Sequence, residues 1–219
     1  MAKVQKIATP KGKLEWVTIS GEGKENLSGK QKYLASIVLH KDAQIVKDIE
    51  EYWNENKPKG FKAGRKSDTN KKGFKSNGVY PHDVPTGEVD EDGDKIYERD
   101  EKNIVLRFST DTTFPDGKAK TIGIYNAKNR KVALPEGTMI GNGTIGCISG
   151  AMGIYENQSD AGVTLYLNDI QIIKLEEYSQ DAGFGTYEDE EDGWTGEPDF
   201  EGEPEPEAEA SEEKAKPRL

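Results

Sequence analysis

One cysteine, Cys147, and two histidines, His40 and His82, are all that the 219 residues hold of those two types. A lone thiol excludes an internal disulfide, and so few soft ligands exclude a cysteine-rich zinc site. Long apolar runs are missing too: none approaches the roughly 20 residues that cross a bilayer. The opening stretch, MAKVQKIATPKGK, lacks the apolar h-region of a secretion signal. These absences lead us to expect a soluble intracellular protein. At 219 residues the chain has room for one core and a tail, and not obviously for two domains.

Charge is present but unevenly spread. Residues 181–219 contain 15 acidic and 3 basic side chains, a net charge of −12, so the overall −11 leaves residues 1–180 at +1. The acidic balance belongs to the tail and does not argue against a polyanionic partner for the body. The tail alternates Glu with Pro and has few apolar residues, a composition that does not offset the entropy cost of ordering. We therefore expect a folded domain over residues 1–180 and a disordered acidic tail over 181–219. Within the tail, Trp194 and Phe200 are the candidate handles for a protein partner.

The clearest β signal runs from Leu134 to Tyr178. Two apolar, β-branched runs flank a turn-rich break at Glu156–Gly162, the pattern of a hairpin. Val163, Leu165 and Leu167 share one face, with Thr164 and Tyr166 on the other. After Asn168-Asp169 the apolar series resumes at Ile170 and Ile172, one residue out of phase. That slip predicts a β-bulge, and glycines at 141, 143, 146, 150 and 153 suit a bent strand. Upstream, Leu14–Ile19 and Gln31–Leu39 read as strands. Asp42 reads as the N-cap of a four-turn helix with Ile45, Ile49, Tyr52 and Trp53 on one face, ending at Pro58. Gly78–Glu101 is acidic and turn-rich, with a short hairpin expected at Glu91-Asp92-Gly93. Asn103–Ser109 and Thr121–Tyr125 complete five or six strands. The expected fold is mainly β, an OB-fold-like five-stranded barrel with one helix and extended loops.

Several motifs carry possible chemistry. Gly141-Asn-Gly143-Thr-Ile-Gly146 matches a dinucleotide fingerprint, yet a β-like run follows where a helix is needed. Asp90, Asp92, Asp94 and Glu101 fit calcium-loop spacing, but Lys95 stands where the loop needs glycine, so a solvated turn is the better reading. Cys147 with a histidine lacks a third orienting group, and a strand cysteine is ordinarily a small buried hydrophobe. No catalytic residue, cofactor or metal is assigned. The strongest signal is Lys57–Lys75, which carries eight basic residues against one acidic. We read it as a mobile loop whose Lys57, Lys59, Lys62, Arg65, Lys66, Lys71, Lys72 and Lys75 neutralise phosphates while Phe61 and Phe74 stack on bases. Among strand aromatics, Trp16, Tyr33, Tyr125, Tyr155 and Tyr166 are open between groove and core. Tyr125 and Tyr166 are the best outward candidates, with Arg107 as the accompanying charge.

The order of segments brings a family into view: Leu14–Ser20 (LEWVTIS), a second strand running into a helix (KYLASIVLHKDAQIVKDIEEYW), glycine-rich strands from Ile140, then AGFG and an acidic tail. The chain resembles the replicative single-stranded-DNA-binding proteins of tailed bacteriophages, over about Gly12–Asn56 and from Leu134 into the tail. The resemblance implies an OB-fold, a non-catalytic role coating single strands in the host cytoplasm, and a tail that contacts replication or recombination proteins; the tail's −12 charge, tethered to a body with a +7 segment, leads us to expect that it also competes with DNA. Such proteins typically end on an aromatic, so Trp194 or Phe200 would substitute here. The alternative reading is a phage structural or assembly module whose tail is a solubility device.

Overall fold

A computed structural model describes residues 4–177, apart from 27, 77, 92, 136–137 and 158–159. The acidic tail, with Trp194 and Phe200, lies outside the described residues. In chain order the elements are β1 (Gln5–Ala8), β2 (Gly12–Thr18), β3 (Lys24–Glu25), β4 (Gln31–His40), α1 (Gln44–Asn56), β5 (Lys75–Ser76), β6 (Val79–Val89), β7 (Lys95–Asp111), β8 (Gly123–Tyr125), β9 (Lys131–Val132), β10 (Ile145–Glu156) and β11 (Ala161–Lys174).

The expected mainly-β architecture with one helix is present. Strands β2, β4, β7, β11 and β10 pair in a ring, closed by the long β10–β11 hairpin. The remaining strands are short additions or extensions, which is why the described residues hold more strands than the five or six expected. The ring encloses Leu14, Ile37, Leu106, Phe108, Ile148 and Ile170, all fully buried. The β-bulge falls where the sequence puts it: Ser149 pairs with Asp169 and Gly150 with Leu167, leaving Asn168 as the extra residue.

Helix α1 buries Ile45, Val46, Ile49, Tyr52 and Trp53, as its spacing requires. Its start departs from expectation. Ala43 occupies the cap position with no side-chain hydrogen bond, while the Asp42 N–H donates to His40 Nδ1 at 3.3 Å. The helix opens one residue too late for Asp42 to cap it. Pro58 ends it as expected, holding Lys57 in an extended conformation with ψ 143°.

Two further corrections concern the middle of the chain. Lys57–Lys75 is pinned, not loose. Trp53 Nε1 donates to the Lys62 carbonyl at 2.9 Å, and the Gly64 N–H donates to Asn54 Oδ1 at 2.9 Å. Phe74 is 1% exposed and packs 5.5 Å from the Trp53 ring, while Phe61 meets the same indole edge-on at 6.0 Å. The segment's aromatics are apolar anchors, and Phe74 has no free face for a base. Second, the acidic stretch is a long ribbon: β6 pairs with the first part of β7 out to a turn at residues 90–94. Both faces are wet, so no apolar alternation marked it. Phe74→Ala should cost about 3–5 kcal/mol of folding stability by denaturant titration, the range for a buried aromatic; unchanged stability would show that the ring is not a core element.

Candidate nucleic-acid interface

The outer surface of β2, β4 and β7 forms an open groove. On β7, Leu106 and Phe108 point inward, so Arg107 and Ser109 point outward. Across β4 they face Ser36 and Leu34, with Lys32 opposite Asp111. Lys32 reaches Asp111 at 3.2 Å. Lys24 on β3 stands directly opposite Lys32. Trp16, Lys24, Glu25, Lys32 and Arg107 line one depression, and a second that shares Lys32 and Arg107 with it is lined by Tyr80 and Thr164.

Two aromatics are displayed in the groove. The Arg107 guanidinium lies 4.9 Å from the centre of the Tyr80 ring, and Tyr80 is 37% exposed. Trp16 is 59% exposed. It sits where the β2–β4 register jumps from Glu15↔Ser36 to Thr18↔Leu34. Its φ of 52° lies in the left-handed region, unusual for a bulky residue. The backbone is held there by the Trp16 N–H donating to Asn142 Oδ1 at 2.8 Å. The bulge turns Val17 toward the core and Trp16 out to solvent. Strain of this kind, retained by surrounding contacts, is typical of functional sites.

On β6, His82 sits between two carboxylates, 3.6 Å from Glu15 Oε1 and 3.1 Å from Asp100 Oδ2. The cluster ties the root of the β6–β7 ribbon to β2. Hydrogen bonds from the Asn103 amide, then from the His82 ring and the Lys102 N–H, hold the Asp100 carboxyl well below the usual carboxylate range.

The sequence-derived candidates fall in different places. Arg107 is in the groove. Tyr166 is 43% exposed, but its ring lies over Gly153 and does not line the groove. Tyr125 is half-buried in a separate depression with Cys147, Asp169 and Gln171. Tyr33 is core, its hydroxyl donating to the Gly21 carbonyl at 3.1 Å. Lys59, Lys62, Arg65, Lys66, Lys71 and Lys72 are exposed; Lys66 pairs with Asp160 at 2.7 Å. Lys57 is half-buried and donates to the Asn54 carbonyl at 2.6 Å. Lys75 contributes backbone to β5. Cys147 is partly buried, and burial pushes its thiol up, away from a nucleophile's range. Gly141–Gly146 leads into β10 with no helix after it. Among the described residues, no cluster of His, Cys, Asp or Glu could hold a metal ion, and no helix is long and apolar enough to cross a membrane.

Tyr80, Lys24 and Lys32 escaped the sequence reading, and Trp16 was left undecided. Trp16 shares the parity of inward-facing Leu14, so alternation points it to the core; only the bulge reverses it.

No family model and no curated protein sequence matches the chain. Solved structures do. The single-stranded DNA-binding protein from bacteriophage Enc34 in complex with ssDNA superposes with a TM-score of 0.51 at 13% identity, covering 78% of this chain and 88% of that one. Its C-terminal truncation gives 0.50 at 14% identity, covering 78% and 87%. The single-stranded DNA binding protein gp2.5 encoded by bacteriophage T7 gives 0.49 at 17% identity, covering 89% of this chain and all of that one. The chain has the fold of phage single-stranded-DNA-binding proteins. At these identities the likeness speaks to architecture, and the site must be argued from this chain's own residues.

The Asp100 contacts make a pH prediction. A carboxyl lowered in the folded state adds stability that is complete above its unfolded pKa, about 3.9, and lost as pH falls below it. Asp100→Asn removes that dependence. Its melting temperature should therefore fall less steeply than the parent's between about pH 5 and pH 3; parallel curves would show that the cluster does not couple to folding.

Proposed function

We propose that the chain binds single-stranded DNA without strong sequence preference, in the groove between Trp16 and Tyr80. The observation that carries this reading is the strained, outward Trp16 facing Arg107, Lys24 and Lys32 across one face of the ring. Bases have π-faces whatever their identity, so an exposed indole and phenol bind them with little selectivity. Cations beside the rings neutralise phosphates. OB-folds bind oligonucleotides across this kind of face. The shared fold with the Enc34 protein, whose structure contains ssDNA, supports the reading.

Lysines of the 57–75 segment would steer the polyanion toward the groove by long-range attraction. They need no stacking partners for that. No catalytic role is assigned. The acidic tail, at −12, would compete for the same cations in cis, because a short flexible tether raises its effective concentration toward millimolar. Trp194 and Phe200 would be its handles for proteins of phage replication or recombination in the host cytoplasm. A particle-assembly module would instead bind no strand at all.

Titration of a labelled oligonucleotide tests the groove. Trp16→Ala should weaken binding by about 1–3 kcal/mol while leaving the melting temperature nearly unchanged. Arg107→Ala should reduce the salt slope by about 0.7. Tyr125→Ala and Tyr166→Ala should leave affinity for a short strand intact. Full affinity in Trp16→Ala would remove the groove from consideration.

Truncation after Gln180 tests the tail. It should tighten binding at low salt, with the gain shrinking as salt rises. Superimposable titrations would reduce the tail to a solubility device.

A further inference from the structure

The ribbon formed by β6 and the first part of β7 is the least explained part of the body. Every described residue from Asp83 to Arg99 is exposed. Among the described residues, β6 pairs with β7 alone, and β7 before Lys102 pairs with β6 alone. The other described residues therefore leave the edges and faces of the ribbon open from Asp83 to Arg99. A two-stranded ribbon is marginal in water by itself, and this one carries apolar side chains. Pro85 pairs with Tyr97 and Val89 with Lys95, so Pro85, Val89 and Tyr97 share one face. Val89 is 60% and Tyr97 55% exposed.

The ribbon is nevertheless held in a set direction. At its root the His82 imidazole lies between Glu15 and Asp100, and Arg99 Nε donates to Asp83 Oδ1 at 2.6 Å. An arm that exposes Pro85, Val89 and Tyr97 together has the form of half an interface.

Charge identifies the other half. Residues 83–99 contain seven acidic and two basic side chains, a net charge of −5. Lys57–Lys75 has a net charge of +7, and its exposed Lys59, Lys62, Arg65, Lys71 and Lys72 stand on a backbone pinned by Trp53 and Asn54. Half-buried Phe61 offers an apolar patch among them. The chain leaves this segment through β5 and enters β6, whose eleven residues span up to about 36 Å. That length separates the acidic tip in the chain from its own basic segment.

We propose that the β6–β7 arm of one copy docks on the Lys57–Lys75 segment of a second copy. Each chain then offers one arm and one acceptor, a heterologous contact that repeats head to tail into an open row. DNA in the Trp16–Tyr80 groove would leave the segment's outer lysines to the neighbour's arm. The association needs no DNA, so its test stands apart from that of the proposed function.

Sedimentation velocity of the full chain without DNA reads it directly. At low ionic strength the sedimentation coefficient should rise with concentration, and at about 1 M salt it should return to the monomer value. An arm variant (Glu88→Lys, Glu91→Lys, Glu98→Lys) and a segment variant (Lys62→Glu, Lys71→Glu, Lys72→Glu) should each associate roughly tenfold more weakly or not at all. An equimolar mixture of the two should associate again, because each reversed surface meets its complement. Circular dichroism confirms that both variants are folded, and the segment variant serves alone if the arm variant is not. Truncation after Gln180 should strengthen association by removing a competitor for the lysines. A wild type that stays monomeric at every concentration, or a mixture that stays monomeric, overturns the proposal. Loss of association on truncation overturns it in favour of the tail as the occupant.

Discussion

Closure of the ring rests on how tightly β10 and β11 approach across the Phe108 ring. At Gly150 a Cβ would collide with the Tyr166 carbonyl and stand 2.9 Å from Phe108 Cδ1. Only a residue without a side chain allows the backbone to pass there. The extra residue Asn168 sits opposite that point and bends the pair. With β10 and β11 bent around Phe108, β10 reaches β2 and β11 reaches β7. The groove exists because those contacts place β2, β4 and β7 side by side with one shared outer face.

A second constraint organises the basic segment. Trp53 is fully buried, touches Phe61 and Phe74, and spends its one N–H on the Lys62 carbonyl. Helix packing and loop conformation are thereby one structure. The lysines therefore project from a fixed backbone frame. The two aromatics among them serve that frame.

Much of this was legible in the residues. The hairpin, its bulge and the buried face of α1 all follow from periodicity, because one face of each is dry. What periodicity missed has wet surfaces on both sides: β1, and the ribbon whose alternation is of charges. Asp42 has the residue type of a cap, but its neighbour His40 engages it. At the site, Arg107 was readable because Leu106 and Phe108 flank it as core residues. Trp16 was not, since a bulge and a left-handed φ reverse its parity. Tyr80 follows a turn with no apolar pattern, and Lys24 and Lys32 become a pair only through strand register. Composition could not separate Phe74 from a stacking residue; its burial against Trp53 does.

The fold, the displayed Trp16 and the cation–ring pair of Arg107 and Tyr80 are the grounds for the proposed single-strand surface. Ultraviolet crosslinking of a thymidine oligonucleotide to the full chain, read by peptide mass spectrometry, tests that surface without altering a residue. Adducts should concentrate on the peptides bearing Trp16 and Tyr80 and fade as unlabelled strand is added. Adducts confined to the peptides of Tyr125 or Tyr166, or absent altogether, would contradict the assignment.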